Sequence, residues 1–351
     1  MEVCEPRPEH VVCDLCGADA PVPLAQVRDR VFGLPGVFRL VRCASCGLVY
    51  LNPKPLAADL AAYYPSEEYY AYRPPTVMPD TLLTRWRRRM ARLALVAWRG
   101  YPVTEAPTES SLQQATAIRA AWRAILALPF LPWRGRLETV PRYRPRGRLL
   151  DVGCGSGAYL LAMRDLGWEV HGVETNARSV EQARKVWALD VRQGPLEAAG
   201  FDPEMFDVVT LWHVLEHLPS PRQTLAACHR LLKLGGHLML EVPNIAGPGA
   251  RLFRERWFHI DAPRHLYAFN PTTLRRILAE AAFAAVRVWP VANEHGLAGS
   301  LQFIWDERRG RSKAGTDLQG NPIIAGGARL ASGALAWLGQ GDCLRAVAVR
   351  L

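Results

Sequence analysis

From about residue 146 onward, short apolar runs alternate with amphipathic stretches of helical period. The pattern predicts strands at 148–152, 169–173, 190–193, 206–211 and 237–243, and helices at 157–166, 177–188, 221–233 and 271–282. Two further apolar runs, 285–291 and 344–350, fit strands. A Gly/Ala-rich insert at about 293–342, containing GGARLASGALAWLG, separates them and reads as helical. Strand and helix in alternation imply an α/β fold, a doubly wound sheet of seven strands with helices on both faces.

The first 145 residues follow another rhythm. Residues 10–55 hold two cysteine pairs around short apolar runs such as VFRLVRC, each pair followed by glycine, Gly17 and Gly47. The stretch LAADLAAYYPSEEYYAYRPP at 56–75 reads as a helix and then a linker. Between 81 and 134 lie two apolar-basic segments separated by TEAPTESSLQQ. In the first, Trp86, Met90, Leu93 and Ala97 share one side at helical spacing, with Arg85, Arg88, Arg89 and Arg92 largely elsewhere. The expected division is a small module at 1–55, a helical linker and cap at 56–145, and the α/β domain at 146–351.

Composition narrows this picture. The chain has 351 residues, 49% hydrophobic and 22% charged, a balance that excludes a disordered protein. No run reaches the ~18 apolar residues of a membrane span. The formal charge is +10, and only Lys54, Lys185, Lys233 and Lys313 of the 43 basic residues are lysine. An arginine excess suits bidentate recognition of anions; genomic base composition accounts for it equally well. The N-terminal MEVCEPRPEHVVCDLC has no apolar core of a signal peptide, so the expected location is the reducing cytosol.

In that setting the cysteine spacing gains meaning. Cys13-x-x-Cys16 and Cys43-x-x-Cys46 are separated by 26 residues. Four thiolates in two such knuckles match a closed, tetrahedral, structural zinc site with no open position for catalysis. The alternative is four unrelated thiols. Cys4, Cys228 and Cys343 read as single packing or surface thiols.

The run RLLDVGCGSG follows an apolar strand and opens a helix. Ligands of doubly wound sheets sit at the carboxyl ends of strands, and glycines let backbone approach them closely. Asp151 at the strand end suits a cationic amino group. The loop is Gly153-x-Gly155-x-Gly157 with Cys154 as a small filler, not the G-x-G-x-x-G of dinucleotide folds. The next strand, EVHGVE, ends at Glu174, where a carboxylate can accept from both hydroxyls of a ribose.

The succession LLDVGCGSG, GVETN, FDVVTLWHVLEHLPSP and LLKLGGHLMLEVPN resembles the motifs of class I S-adenosylmethionine-dependent methyltransferases, in order, from about 146 to 291. The resemblance implies a Rossmann-like methyltransferase sheet and S-adenosyl-L-methionine as cofactor. Asp151, Gly153 and Gly155 would then line its methionine part, Glu174 would hold the ribose, and Cys154, Gly157 and Thr175 would belong to the same cofactor site. Gly194, Pro195, Leu196 and Glu197 would flank adenine, and Leu211, Trp212 and His213 would close over the cofactor. Pro195 departs from relatives that carry an acidic residue there. The arrangement CDLCG…VRCASCGLVYLNP before such a domain also resembles bacterial-type zinc-ribbon methyltransferases, often associated with sugar, surface-polysaccharide or natural-product modification.

His213-x-x-Glu216-His217 follows the fourth strand, where an acceptor would meet the methyl group, and Arg264-His265 follows the fifth. In one reading His217, with His213 and His265 behind it, removes a proton from the acceptor. In another, His213, Glu216, His217 and His265 bind a divalent metal. Ubiquinone-pathway and small-RNA O-methyltransferases resemble this with Glu-x-x-Glu-His, and His213 in place of the first Glu disfavours magnesium. In the third, these residues bond one another and cap a helix. Arg264 is expected to position an anionic acceptor or to hold its loop by a salt bridge.

The leading expectation is O- or N-methylation of a small-molecule or glycan acceptor: a sugar, nucleotide-sugar or lipid-linked glycan. The Arg/Trp helices would cap the cleft and add peripheral contact with the inner face of the membrane. An RNA methyltransferase gripping nucleic acid with the ribbon and basic helices is the alternative, although Asn-Pro-Pro-Tyr and Pro-Cys motifs are absent. A non-catalytic scaffold is the third.

Overall fold

The computed structural model describes residues 7–65, 72, 81–102, 138–318 and 320–351. Cys4 and the second expected cap helix lie outside these residues. Strand β1 (Pro8–Glu9) pairs with β5 (Lys54–Pro55), while β2 (Pro21–Val27), β3 (Phe38–Cys43) and β4 (Val49–Leu51) form an antiparallel sheet. In β3 the side chains of Phe38, Leu40 and Val41 are buried and those of Arg39 and Arg42 exposed, so near-alternation fixes its register. Two short helical pieces follow, α1 (Ala57–Leu60) and the 3₁₀ turn Ala61–Tyr63.

Helix α2 (Leu82–Arg99) carries the first arginine-rich segment. Its expected apolar stripe is not the buried one: Trp86 and Leu93 are exposed, whereas Ala94, Leu95 and the following Tyr101 form a cluster with Trp98, Val140, Tyr143 and Leu166. The Trp168 indole donates to the Tyr101 hydroxyl at 2.7 Å. Trp168 directly precedes β7 (Glu169–Glu174). The helix therefore docks by its C-terminal end at the N-terminal edge of the strands, not over their carboxyl ends, because that is where apolar partners await it.

The main sheet has the order β12-β13-β10-β9-β6-β7-β8. Its members are β6 (Arg148–Val152), β7, β8 (Asp190–Gln193), β9 (Phe206–Trp212), β10 (Leu232–Pro243), β12 (Ala284–Val291) and β13 (Cys343–Val349). β8, β7, β6, β9 and β10 run parallel, and β13 is antiparallel between β10 and β12. This is the expected seven-stranded, Rossmann-like α/β architecture. The helices are α3 (Ala158–Asp165), α4 (Ala177–Trp187), α5 (Pro221–Leu231), α6 (Pro248–Phe253) and α7 (Pro271–Glu280). The Asn176 side chain caps α4, and Asn270 with Thr273 forms a capping box on α7. β10 starts five residues before the expected 237, with an irregular register between Leu232 and His237 where Gly235 has φ 72°. The insert is helical as expected, with α8 (Glu294–Arg308) and α9 (Pro322–Trp337).

One strand crosses the expected domain division. β11 (Tyr267–Ala268) follows the Arg264-His265 loop and pairs with β4, completing a four-stranded sheet β11-β4-β3-β2. Two residues are too short a run for periodicity to reveal.

Candidate functional site

The carboxyl ends of β6, β7, β9 and β10 meet at one rim, since β6 pairs in parallel with β7 and β9, and β9 with β10. β6 turns into α3 through Gly153, Gly155 and Gly157, all at positive φ (68°, 51° and 84°). A Cβ on Gly153 would lie 2.6 Å from Val214, so the loop packs directly against the segment leaving β9. Cys154 is buried, its sulfur 2.7 Å from where a Cβ on Gly172 would stand. The small side chain and the β7 glycine make room for each other.

Two buried carboxylates face this loop. Glu174 Oε2 accepts from Gly155 N (2.9 Å), and its Oε1 from Asn176 N (2.8 Å) and Thr175 Oγ1 (3.3 Å). Asp151 accepts from Thr210 Oγ1 at 2.6 Å. Burial pushes Asp151 up to about 7, the Thr210 hydroxyl opposing and the Glu174 charge adding to the rise. A cation arriving here relieves both charges. The site therefore fits a cofactor with an ammonium group and a ribose diol. An ammonium held at Asp151 would favour the ionised carboxylate, and cofactor affinity would then rise with pH through about 7 and level off above. Between pH 7 and 5 the loss approaches about tenfold per unit. Calorimetry in buffers of different ionisation enthalpy should register proton release on binding, and Asp151→Asn should flatten the dependence.

Tyr72 belongs to this region, yet no spacing in the tyrosine-rich stretch singles it out. Its hydroxyl bonds to Asn176 and lies near Glu174, and burial raises it to about 12. Leu196 is buried in the 3₁₀ turn after Gly194 and Pro195. Trp212 is half-buried against Tyr159, ring centres 5.5 Å apart. Leu211 corrects an expectation: it is fully buried in the main apolar core, so its side chain does not close over a ligand at the rim.

Beyond β9 lies a dense polar cluster. His213 sits at φ 55°, its Nδ1 3.4 Å from Glu216 Oε1 and its Nε2 3.3 Å from Glu241 Oε1. Burial works against its charged form, but the two carboxylates prevail and raise it to about 10. His213 is thus an imidazolium clasped between two acids, not a free base. Arg345 in turn grips Glu241 at 2.5 and 3.0 Å.

Glu216 is completely buried, and among the described residues neither of its oxygens accepts a hydrogen bond. His217 Nδ1 lies 3.0 Å from the Arg264 carbonyl and 2.9 Å from the Tyr64 hydroxyl. His265 Nδ1 lies 2.8 Å from the His259 carbonyl. A carbonyl only accepts, so both rings carry a proton on Nδ1; the Nε2 of His265 faces Asp261 Oδ2 at 3.8 Å. The two rings meet edge to face, centres 4.4 Å apart. One donor atom each from Glu216, His217 and His265 falls within 4.8 Å of the others. Burial, and then the neighbouring His265, lower His217 to about 4 and keep it neutral.

Arg264 does not reach an acceptor. It is fully buried and bonds Asp261 (2.5 and 3.0 Å), Asp29 (2.6 and 3.2 Å) and the Tyr63 carbonyl (3.0 Å). Substrate positioning is corrected to the other expected role, a salt bridge holding the loop. Sequence reasoning missed its partner Asp29, as it missed Tyr64 and Glu241, because their partners are distant in sequence.

The four cysteines Cys13, Cys16, Cys43 and Cys46 converge, with all four sulfurs within 4.8 Å and two cross pairs at 3.5 and 3.6 Å. Thiolates tetrahedral about an ion at ~2.3 Å stand about 3.8 Å apart, so the donor set fits zinc. Gly17 N and Gly47 N close the knuckles on Cys13 O and Cys43 O at 2.8 and 2.9 Å. Separately, a cavity of about 600 Å³ opens between the loop after β2 and α8. Arg30, Arg256 and Arg311 on its wall are paired with Glu307 and Asp317 at 2.6–3.0 Å.

Residues 118–288 match a family model described as a methyltransferase domain. A ubiquinone biosynthesis O-methyltransferase of Pseudomonas aeruginosa is 38% identical over 112 residues, 30% of this chain and 48% of the relative. One of Pseudomonas paraeruginosa is 40% identical over 111 residues, 30% of this chain and 47% of the relative. The chain thus spans about half the length of the curated relatives it matches. Among solved structures it is similar to a possible histamine N-methyltransferase of Thermotoga maritima, at 19% identity and a TM-score of 0.43, covering 67% of this chain and 96% of that one. Among the described residues no helix is long and apolar enough to cross a membrane.

Proposed function

We propose, from the methyltransferase domain this chain carries, that the protein transfers a methyl group from S-adenosyl-L-methionine to a heteroatom of a small-molecule acceptor. The observation that carries this reading is adjacency. Val214, which packs on Gly153 of the glycine loop, stands between His213 and the Glu216-His217 pair. A methyl group presented by a cofactor in that loop would therefore face the histidine cluster. Asp151, Glu174 and Tyr72 would hold the cofactor. The sulfonium is already activated, so alignment supplies most of the rate. His217, neutral with a free Nε2, would take the acceptor proton, and His265 beside it would share the task.

A hydroxyl acceptor agrees with the relatives, which are named O-methyltransferases. The finer expectation of a sugar, nucleotide-sugar or lipid-linked glycan rests on the likeness to zinc-ribbon methyltransferases, and the four-cysteine set would hold a structural zinc. Contact with a membrane and work in the cytosol belong to the same proposal. No observation favours RNA or a non-catalytic scaffold.

A second reading of the cluster has its own support, the buried carboxylate of Glu216, which faces His213 at 3.4 Å without a hydrogen bond among the described residues. With His213 held by Glu241, the donors left are Glu216, His217 and His265. Two imidazoles and a carboxylate suit a first-row transition ion more than magnesium. When bound, such an ion would lower the pKa of an acceptor hydroxyl.

The test is calorimetric titration of metal-analysed protein with S-adenosylmethionine and S-adenosylhomocysteine. Micromolar binding at one site is expected, followed by turnover in a screen of hydroxylated acceptors. Folded protein that binds neither compound would end the proposal. Metal content decides between the readings of the cluster: one zinc per chain leaves His217 as the base. A second ion, lost in Glu216→Gln, establishes the metal.

A further inference from the structure

The N-terminal module and the segment that follows it are wired to the histidine cluster by three routes. The first is backbone: Leu51 N donates to Leu266 O at 2.9 Å, and Leu266 N donates to Glu216 O at 2.8 Å. Leu51 ends β4, the strand that leaves the second cysteine knuckle, where Cys43 N bonds Leu48 O at 2.9 Å. The second is Asp29. It accepts both Arg264 Nη atoms while receiving Val31 N and Phe32 N at 3.0 and 3.1 Å, so its own loop cannot yield freely. The third is Tyr64, whose hydroxyl lies 2.9 Å from His217 Nδ1 and donates to Arg264 O at 3.5 Å. The backbone N–H groups of Gly153, Cys154 and Gly155 instead bond Val173 and Glu174.

We propose that Asp29 and Tyr64 are positioning residues of the reaction centre, through which the four-cysteine module sets the geometry of His217 and His265 without acting on the cofactor loop. This rests on reading the cluster as the reaction centre. Arg264 is fully buried, so its charge must stay paired, and removing one partner of a buried pair leaves a heavily penalised charge behind. The loop from Asp261 to His265 therefore follows Asp29. That loop presents the Arg264 carbonyl, the acceptor that fixes which nitrogen of His217 bears the proton. Loss of the four-thiolate geometry, by removal of its ion or by thiol oxidation, is accordingly felt at the histidines.

The test uses full-length protein saturated with S-adenosylhomocysteine, as wild type, Asp29→Asn, Tyr64→Phe and Cys43→Ser. Three quantities are read: peptide hydrogen exchange, long-range proton–nitrogen-15 correlations of the histidine rings, and S-adenosylhomocysteine affinity. In Asp29→Asn and Cys43→Ser, exchange at 214–218 and 259–268 should quicken at least tenfold. In Tyr64→Phe the His217 ring should keep its Nδ1–H on the Arg264 carbonyl, but its ring signals should shift and exchange at 214–218 should quicken. Affinity should stay within twofold throughout. Unchanged exchange and ring signals in all variants would overturn the proposal, as would losses confined to residues 7–55. If Asp29→Asn and Cys43→Ser unfold, Tyr64→Phe decides alone, because it removes one hydroxyl and little volume. Failure of the reaction-centre reading shows separately, as normal turnover in both His217→Ala and Glu216→Gln.

Discussion

Replacing Glu174 with Ala is expected to weaken S-adenosylmethionine and S-adenosylhomocysteine binding at least about a hundredfold while leaving the metal content of the four-cysteine site unchanged. Each hydrogen bond to a charged group contributes about 1.5–3 kcal/mol, and a ribose diol offers two donors to this carboxylate. The substitution also frees Gly155 N and Asn176 N, which Glu174 now receives at 2.9 and 2.8 Å, so the loop loses its brace along with the ligand contact. Glu174→Gln separates the two effects, since its amide oxygen can still accept from one of those groups. Calorimetry of the three proteins should rank wild type, Gln and Ala in order of falling affinity. The four cysteines gather away from the glycine loop, in the knuckles beside β3, so metal analysis should return the same content in all three, whatever ion they hold. An Ala variant that binds as tightly as wild type would remove Glu174 from the cofactor site.

How much of this was legible before the structure depends on whether the signal is local. The glycine loop, Glu174 and the parallel strands are written in consecutive residues, because a strand end, a turn and a helix start are neighbours in sequence. The four cysteines are legible for the same reason, as two pairs with fixed spacing. Arg264 shows the opposite case. Its role follows from Asp29, 235 residues away, and no periodicity links a loop after β2 to a loop after α6. His213 is an intermediate case: spacing places it beside Glu216, but Glu241 on β10 turns it from a base or ligand into a held cation. Leu211 misled because strand alternation gives it a face, and only the packed core says which face is dry. The α2 stripe misled because apolar side chains bury where partners exist, and those partners gather around Val140 and Tyr143.

His217→Ala should leave cofactor affinity within about twofold and slow methyl transfer by about a hundred- to ten-thousandfold, the range typical of a lost general base. The cofactor loop has no hydrogen bond to the His217 ring among the described residues, which is why binding should survive. Turnover should not, because His217 presents a neutral ring with its proton fixed on Nδ1 by the Arg264 carbonyl and its Nε2 lone pair free. Burial and His265 hold this ring down to about 4. The neutral form therefore persists across the physiological range, and at saturating cofactor the acid limb of kcat should fall near pH 4, not near the ~6.5 of an ordinary histidine. His213→Ala gives a different signature. It removes a cation from between Glu216 and Glu241, leaving two buried carboxylates opposed, so a loss of thermal stability should accompany any loss of rate. If His217→Ala turns over at near-normal speed while Glu216→Gln does not, the proton acceptor is not the imidazole, and activation of the acceptor passes to the ion that Glu216 would help hold.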